Sequence, residues 1–255
     1  MVEQRHRSLA AEAGAVSANT IMVVLGCLWN FAGGRIPDLP TSPVRRLRRQ
    51  WYPQRRRTRH VRADQMAAFY AALQKAPNAI ARDLILLMLF TGTRFGEASS
   101  LTWDDVDFTA MTIRIPGERT KTGEALALPM VDVVHSMLVA RRSIGRARFV
   151  FPGNSAVGHV VDVRGSFAHI AAATNITVSA HDLRRTYITV AESCDISLIA
   201  LKALVNHSLG RGITEGYVQM TPDRLREPAQ KVCDKLKVLC GVPAPGDTKV
   251  ARLRR

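Results

Sequence analysis

The amino-acid sequence predicts a mainly α-helical protein that carries one small antiparallel β-sheet, an α+β chain. Three observations lead there. Past residue 62, most segments return an apolar residue every three or four positions, the helical period. One stretch alternates instead: "MTIRIPGERTKTGEALALPM", residues 111–130, has apolar residues at Met111, Ile113 and Ile115, then at Leu126, Leu128 and Met130, around a glycine-containing turn. Apolar residues make up 47% of the 255, enough for a substantial core.

Taken in order, residues 18–33 form a first helix that stops at Gly33-Gly34. Its run "IMVVLGCLW", residues 21–29, is too short to span a bilayer and is expected to be the core face of that helix. Glu3 and Glu12 lie ahead of it, unlike a signal-peptide leader. Prolines 37, 40, 43 and 53 then mark an extended segment. A helix starts near Arg62, with Asp64 as N-cap and Met66, Phe69, Tyr70 and Leu73 as its apolar stripe. "AIARDLILLMLFTGTRFGEASSLTWDDVDF", residues 79–108, reads as an apolar helix, a Thr-Gly-Thr break and a second helix opening at Arg94. The hairpin follows with Lys121 near its tip. Helices are expected over 131–142, 162–173, 181–193 and 196–205, with one more after Thr221. There is no internal repeat.

Charge narrows the function. The chain has 36 basic and 21 acidic residues, net +15, with pI near 10.6, which calls for a polyanionic partner. More than half of that excess sits in "TSPVRRLRRQWYPQRRRTRHVR", residues 41–62, with no acid among nine arginines: Arg45, Arg46, Arg48, Arg49, Arg55, Arg56, Arg57, Arg59 and Arg62. Pro43 and Pro53 rule out a long amphipathic helix there, so the block reads as a linker whose arginines contact nucleic-acid phosphates rather than a membrane. Aromatic residues are only 6%, which disfavours a base-stacking platform. Cys27, Cys194, Cys233 and Cys240 show no zinc spacing and read as reduced thiols of a cytoplasmic protein. Asp104, Asp105 and Asp107 in "TWDDVDF" read as caps and turns rather than a metal cluster, and no metal or cofactor is expected.

"HDLRRTYIT", residues 181–189, concentrates charge on one helix face: His181, Arg184 and Arg185 share it, while Leu183, Tyr187 and Val190 form a buried stripe. Arg94, Lys121, His207 in "ALVNHS" and Tyr217 in "ITEGYVQM" come from separate segments. Two arginines, a lysine, two histidines and a tyrosine suit attack on a phosphodiester without metal. Guanidinium groups meet the charge of a pentavalent phosphorane with paired hydrogen bonds. A tyrosine hydroxyl needs a base to take its proton, and a departing 5′-oxygen needs an acid such as lysine.

"TGTRFGEASSLTWDDVDF", "TKTGEALALP", "HDLRRTYIT" and "LVNHSLGRGITEGYVQM" occur in the order of the signature segments of the tyrosine recombinase, or phage integrase, family, which the chain resembles over roughly residues 62–225. The resemblance implies the fold of that family's catalytic domain and site-specific DNA strand cleavage and rejoining through a 3′-phosphotyrosyl intermediate. It implies Arg94 and Arg184 as the phosphate-binding arginines, with Glu97 supporting the first. Lys121 is then the general acid, His181 the base, His207 the second histidine and Tyr217 the nucleophile. Asn206 stands where the family usually has glycine, and the interval from His207 to Tyr217 is about one residue longer. By the same resemblance, residues 1–40 are a remnant of a helical core-binding domain, 41–62 the interdomain linker, 63–225 the catalytic domain, and 226–255 a C-terminal helix with a basic tail. Val232, Leu236 and Leu239 of that helix are expected to dock on a neighbouring protomer, with folding back onto the helix's own domain as the alternative. The implied partners are double-stranded DNA, other copies of the chain in a tetrameric synapse, and accessory DNA-bending proteins, with no membrane. A topoisomerase-like relaxing enzyme of type IB and a non-catalytic DNA-binding prophage remnant are the alternatives.

Overall fold

The computed structural model describes residues 1–54, 58–145, 147–207 and 220–242. The chain divides into two units, residues 1–57 and 58–255.

In the first unit, α1 (Val2–Ala13) and α2 (Ala15–Gly33) form a helical hairpin. Gly14, at φ 86°, makes the one-residue turn, a conformation that glycine adopts without a Cβ clash. His6 Nε2 and Asn19 Oδ1 lie 2.9 Å apart, and Asn19 Nδ2 donates to the Tyr52 carbonyl at 2.8 Å, so the buried polar groups of the hairpin are matched. The arginine block is not wholly extended, as the sequence suggested. Residues Pro43–Leu47 form a 3-10 turn whose Val44 and Leu47 join Leu9, Ala18 and Met22 in a small core. That packing leaves Arg45, Arg46, Arg48 and Arg49 exposed.

The run at 21–29 is also not a core face. Met22 is buried, but Ile21, Val24, Leu28 and Phe31, at helical spacing, are 43–61% exposed. Helix α2 is apolar on more faces than its small unit can cover. By length and composition it is apolar enough to cross a membrane, and only 17% of its apolar stretch is buried.

The second unit is built around α4 (Ala79–Thr91), which is buried nearly all round from Leu84 to Phe90. Asn78 caps its start by accepting from the Ala81 amide at 3.0 Å. Helix α3 (Ala63–Gln74) packs on α7 (Arg164–Thr174), and α4 packs on α8 (Ala180–Glu192). After the short α5 (Phe95–Ser99) comes a three-stranded antiparallel sheet, β1 (Val106–Asp107), β2 (Thr112–Ile115) and β3 (Leu126–Pro129). Ile113 pairs with Leu128 and Ile115 with Leu126, and these four enter the core with Met130, while Met111 packs half-buried against it. The strand β1 is an addition that two residues could not announce. Asp105 accepts from the Thr102 amide and hydroxyl at 2.7 Å each, and Asp107 from the amides of Thr109 and Ala110, so these acids cap and turn the chain.

Helices α6 (Asp132–Ile144) and α9 (Leu198–Leu204) complete the core together with α10 (Pro222–Leu239). In this chain the last helix folds back onto its own domain, the alternative to docking on another protomer. Leu225, Ala229, Val232, Cys233 and Leu236 are buried against β3, α8, α9, α3 and α4 of the same chain. Lys237 Nζ adds an ion pair to Asp132 at 2.6 Å. Helical spacing announced an apolar stripe but not its partner. The basic tail lies outside the described residues.

Candidate active site

The site starts from the break after α4. Gly92 ends that helix at φ 65°, and a Cβ there would lie 2.5 Å from Tyr187 Cδ1, so both the turn and the packing of Tyr187 demand glycine. The carbonyl of Gly92 accepts from Arg184 Nη1 at 2.7 Å. Arg184 Nη2 donates to the Val205 carbonyl, just past α9. One guanidinium on α8 thus ties the ends of two other helices and is only 3% exposed. Burial first, and then the neighbouring charge of Arg94, push its pKa down to about 10, so it remains a cation at neutral pH.

Arg94 is the N-cap of α5. Its amide donates to Glu97 Oε2 at 3.0 Å, its Nη1 to Glu97 Oε1 at 2.8 Å, and its Nη2 to the Asn206 carbonyl at 3.3 Å. Glu97 is buried with 2% exposure. Its charge offsets the repulsion of two guanidinium groups and fixes the orientation of the more exposed one.

His181 lies exposed in the first turn of α8, the helix that carries Arg184. Ser179 caps that helix by donating to Asp182 from its amide at 2.9 Å and its hydroxyl at 2.8 Å. Asp182 also accepts from Arg185 at 2.8 Å and pairs with Arg59 at 3.7 Å. Burial and the charges of Arg185, Arg184 and Arg94 lower the pKa of His181, although Asp182 opposes them. His207, exposed after α9, is lowered by burial and by Arg184, Arg94 and Lys202. Both imidazoles therefore favour the neutral form, which can accept a proton.

Lys121 is exposed on the connection between β2 and β3 and makes no ion pair among the described residues. The next residue, Thr122, donates its hydroxyl to Asn206 Oδ1 at 3.2 Å, which anchors that loop beside the Arg94 contact. A cleft of about 520 Å³ opens along Arg94, His181 and Arg184, with Phe95, Val163 and Phe167 as apolar walls.

Of the sequence-predicted residues, Arg94, Glu97, Arg184, His181 and His207 thus meet, with the Lys121 loop joined to them through Asn206. Tyr217 lies outside the described residues. Tyr187 does not compete for its role: it is 1% exposed, and burial raises its phenol well above the usual range. Tyr70 sits against Gln74 and Cys240, and Tyr52 belongs to the first unit. Among the nine arginines of the basic block, Arg55, Arg56 and Arg57 also lie outside the described residues. Arg62 donates to Asp64 at 3.0 and 2.9 Å, which ties up part of its charge. Sequence reasoning had no role for Asn206, Thr122 or Asp182. Only Asp182 had a local signal, three residues after a serine cap. Among the described residues no cluster of three or more His, Cys, Asp or Glu could hold a metal ion.

Comparison with known proteins gives the family and the fold. The profile of the Phage integrase family matches residues 59–224. Prophage integrase IntF of Escherichia coli (strain K12) is 26% identical over 175 residues, covering 66% of this chain and 37% of the relative. Prophage integrase IntA of the same organism is 29% identical over 102 residues, covering 39% of this chain and 25% of the relative. The chain therefore spans well under half the length of these curated relatives. A lambda integrase tetramer bound to a Holliday junction superposes with TM-score 0.62 at 20% identity, covering 83% of this chain and 65% of that one. The Tn1549 transposon integrase in complex with circular intermediate DNA gives 0.60 at 18% identity, covering 89% and 82%. At such identities the structural likeness speaks for the fold.

Proposed function

We propose, from the premise that this chain belongs to the phage integrase family, that it cleaves and rejoins DNA strands at specific sites through a covalent tyrosyl–DNA ester. The observation that carries the reading is the pair of guanidinium groups, Arg184 locked by two main-chain carbonyls and Arg94 by Glu97 and one carbonyl, flanked by two histidines of lowered pKa. An arginine has five N–H donors, so each retains donors for the non-bridging oxygens of a phosphodiester.

In the proposed reaction the Tyr217 oxygen attacks phosphorus while His181 takes the phenolic proton. A bond forms between that oxygen and phosphorus, and the bond from phosphorus to the 5′-oxygen breaks. Lys121 gives the departing 5′-oxygen its proton. Rejoining is the reverse, with a 5′-hydroxyl of the same or another strand as nucleophile. Arg94, Arg184 and His207 hold the charge that develops on the phosphoryl oxygens. The exposed Arg45, Arg46, Arg48 and Arg49 then supply phosphate contacts that fix register without reading sequence. The lambda integrase structures are of dimers and tetramers on DNA, and copies of this chain are proposed to assemble likewise on duplex DNA.

The decisive experiment traps the intermediate. On a nicked suicide duplex, whose cleaved fragment diffuses away, the chain should form a protein–DNA adduct that persists in a denaturing gel. Adduct formation should survive excess EDTA, because guanidinium groups take the charge that Mg²⁺ neutralises in metal-dependent phosphoryl transfer. No adduct on any duplex would leave a DNA-binding remnant, and adduct lost with EDTA would contradict the roles given to the arginines.

A pH profile tests the base. Because burial and nearby cations lower the pKa of His181, it should lose its proton at a pH below the ordinary histidine value of about 6.5. Single-turnover cleavage should therefore rise through that lower pH and be flat by neutrality. A midpoint above about 7 would mean that the neutral imidazole is not the form that acts.

A further inference from the structure

The junction between the lysine loop and the arginine pair passes through one residue, by its main chain on one side and its side chain on the other. The Asn206 carbonyl receives Arg94 Nη2 at 3.3 Å, while its Oδ1 receives the Thr122 hydroxyl at 3.2 Å, contacts that span 112 and 84 residues of sequence. Asn206 holds this place against two costs. Its φ is 44°, in the left-handed region that non-glycine residues rarely occupy, asparagine being among the few that tolerate it. Its Nδ2 is buried with no hydrogen-bond acceptor among the described residues. Neither feature serves stability.

Lys121, by contrast, is exposed, and it stands between two threonines whose hydroxyls are both bonded. The Thr120 hydroxyl is bound within the loop, 3.0 Å from the Gly117 carbonyl and 2.7 Å from that of Glu124. The Thr122 hydroxyl reaches out of the loop to Asn206.

We propose that Asn206 is a positioning residue, which couples the Lys121 loop to the Arg94 guanidinium so that proton donor and phosphate clamp are presented as one unit. The inference rests on the strand-cleavage reading above. It assigns Asn206 no contact with the reacting atoms. Its effect is to limit where the Lys121 ammonium can stand relative to a phosphate held by Arg94, and proton transfer is sensitive to such placement.

The test separates proton donation from general loss of structure. A 5′-bridging sulfur is a leaving group that needs little acid help. Adduct formation is measured in single turnover on ordinary and 5′-thio suicide duplexes for the parent, Lys121→Ala, Asn206→Gly, Thr122→Val and the Asn206→Gly/Thr122→Val pair. Glycine accepts the left-handed φ, and valine keeps the shape of threonine on a loop, so neither variant should lower the melting temperature. Asn206→Gly should be about tenfold slower on ordinary DNA and within about twofold of the parent on the thio duplex. Thr122→Val should match it, and the pair should be no slower than either alone, because both break one link. Equal slowing of Asn206→Gly on both duplexes, or losses that multiply in the pair, would overturn the positioning role. Equal slowing of Lys121→Ala on both duplexes would overturn the acid assignment itself, and the proposed coupling with it.

Discussion

Tyr217→Phe should abolish adduct formation on suicide duplexes while leaving DNA affinity nearly unchanged. Loss of a nucleophile costs on the order of 10⁴-fold or more in rate, whereas the hydroxyl contributes at most one neutral hydrogen bond, about 0.5–1.5 kcal/mol, to binding. No other tyrosine is placed to substitute among the described residues. Tyr187 is sealed in the core against Gly92, with its phenol pushed up by burial, and Tyr70 lies on α3 against Cys240. Denaturing gels and equilibrium binding on the same duplex measure the two effects separately. Adduct that persists in the phenylalanine variant, or that maps to another residue by peptide sequencing, would remove Tyr217 from the mechanism.

Arg184→Lys should slow cleavage by about 10²–10³-fold although the charge is kept. Lysine has one ammonium where arginine has a planar fork, and it cannot reach both the Gly92 and Val205 carbonyls while also facing a phosphate. The variant should also be less stable, by roughly 2–4 kcal/mol, because buried carbonyls lose their donors. Rates are therefore compared well below the melting temperature of both proteins. A variant that melts early but cleaves within a few-fold of the parent would make Arg184 a structural tie alone. The companion change Arg94→Lys keeps the helix ends joined and should lose rate with a smaller loss of stability.

Local order explains which parts of this molecule could be read in advance. The apolar period of α4, the Thr-Gly-Thr break, the cap at Arg94 and the alternating hairpin each depend on residues within one or two turns of each other. Hence Arg94 could be placed at a helix start, and His181 and Arg184 on one face of α8. The misplaced expectations share another property. Val44 and Leu47 fold part of the arginine block into a 3-10 turn because they meet α1 and α2, which no pattern within the block reveals. Helix α10 was correctly seen as amphipathic, but its stripe fits the chain's own core, and amphipathicity is indifferent to whether the covering surface is in cis or in trans.

The sequence by itself determined the chemical inventory: arginines, histidines and a lysine borne on segments whose secondary structure is locally encoded, with a basic excess that calls for a polyanion. Only the tertiary structure decided how that inventory is held. Arg184 meets a carbonyl 92 residues away, Arg94 one that is 112 residues away, and Asn206 joins them to the lysine loop. These are main-chain and amide partners whose identity leaves no mark on a local pattern, since every residue has a carbonyl. Which carbonyl is in reach is set by how the helices pack.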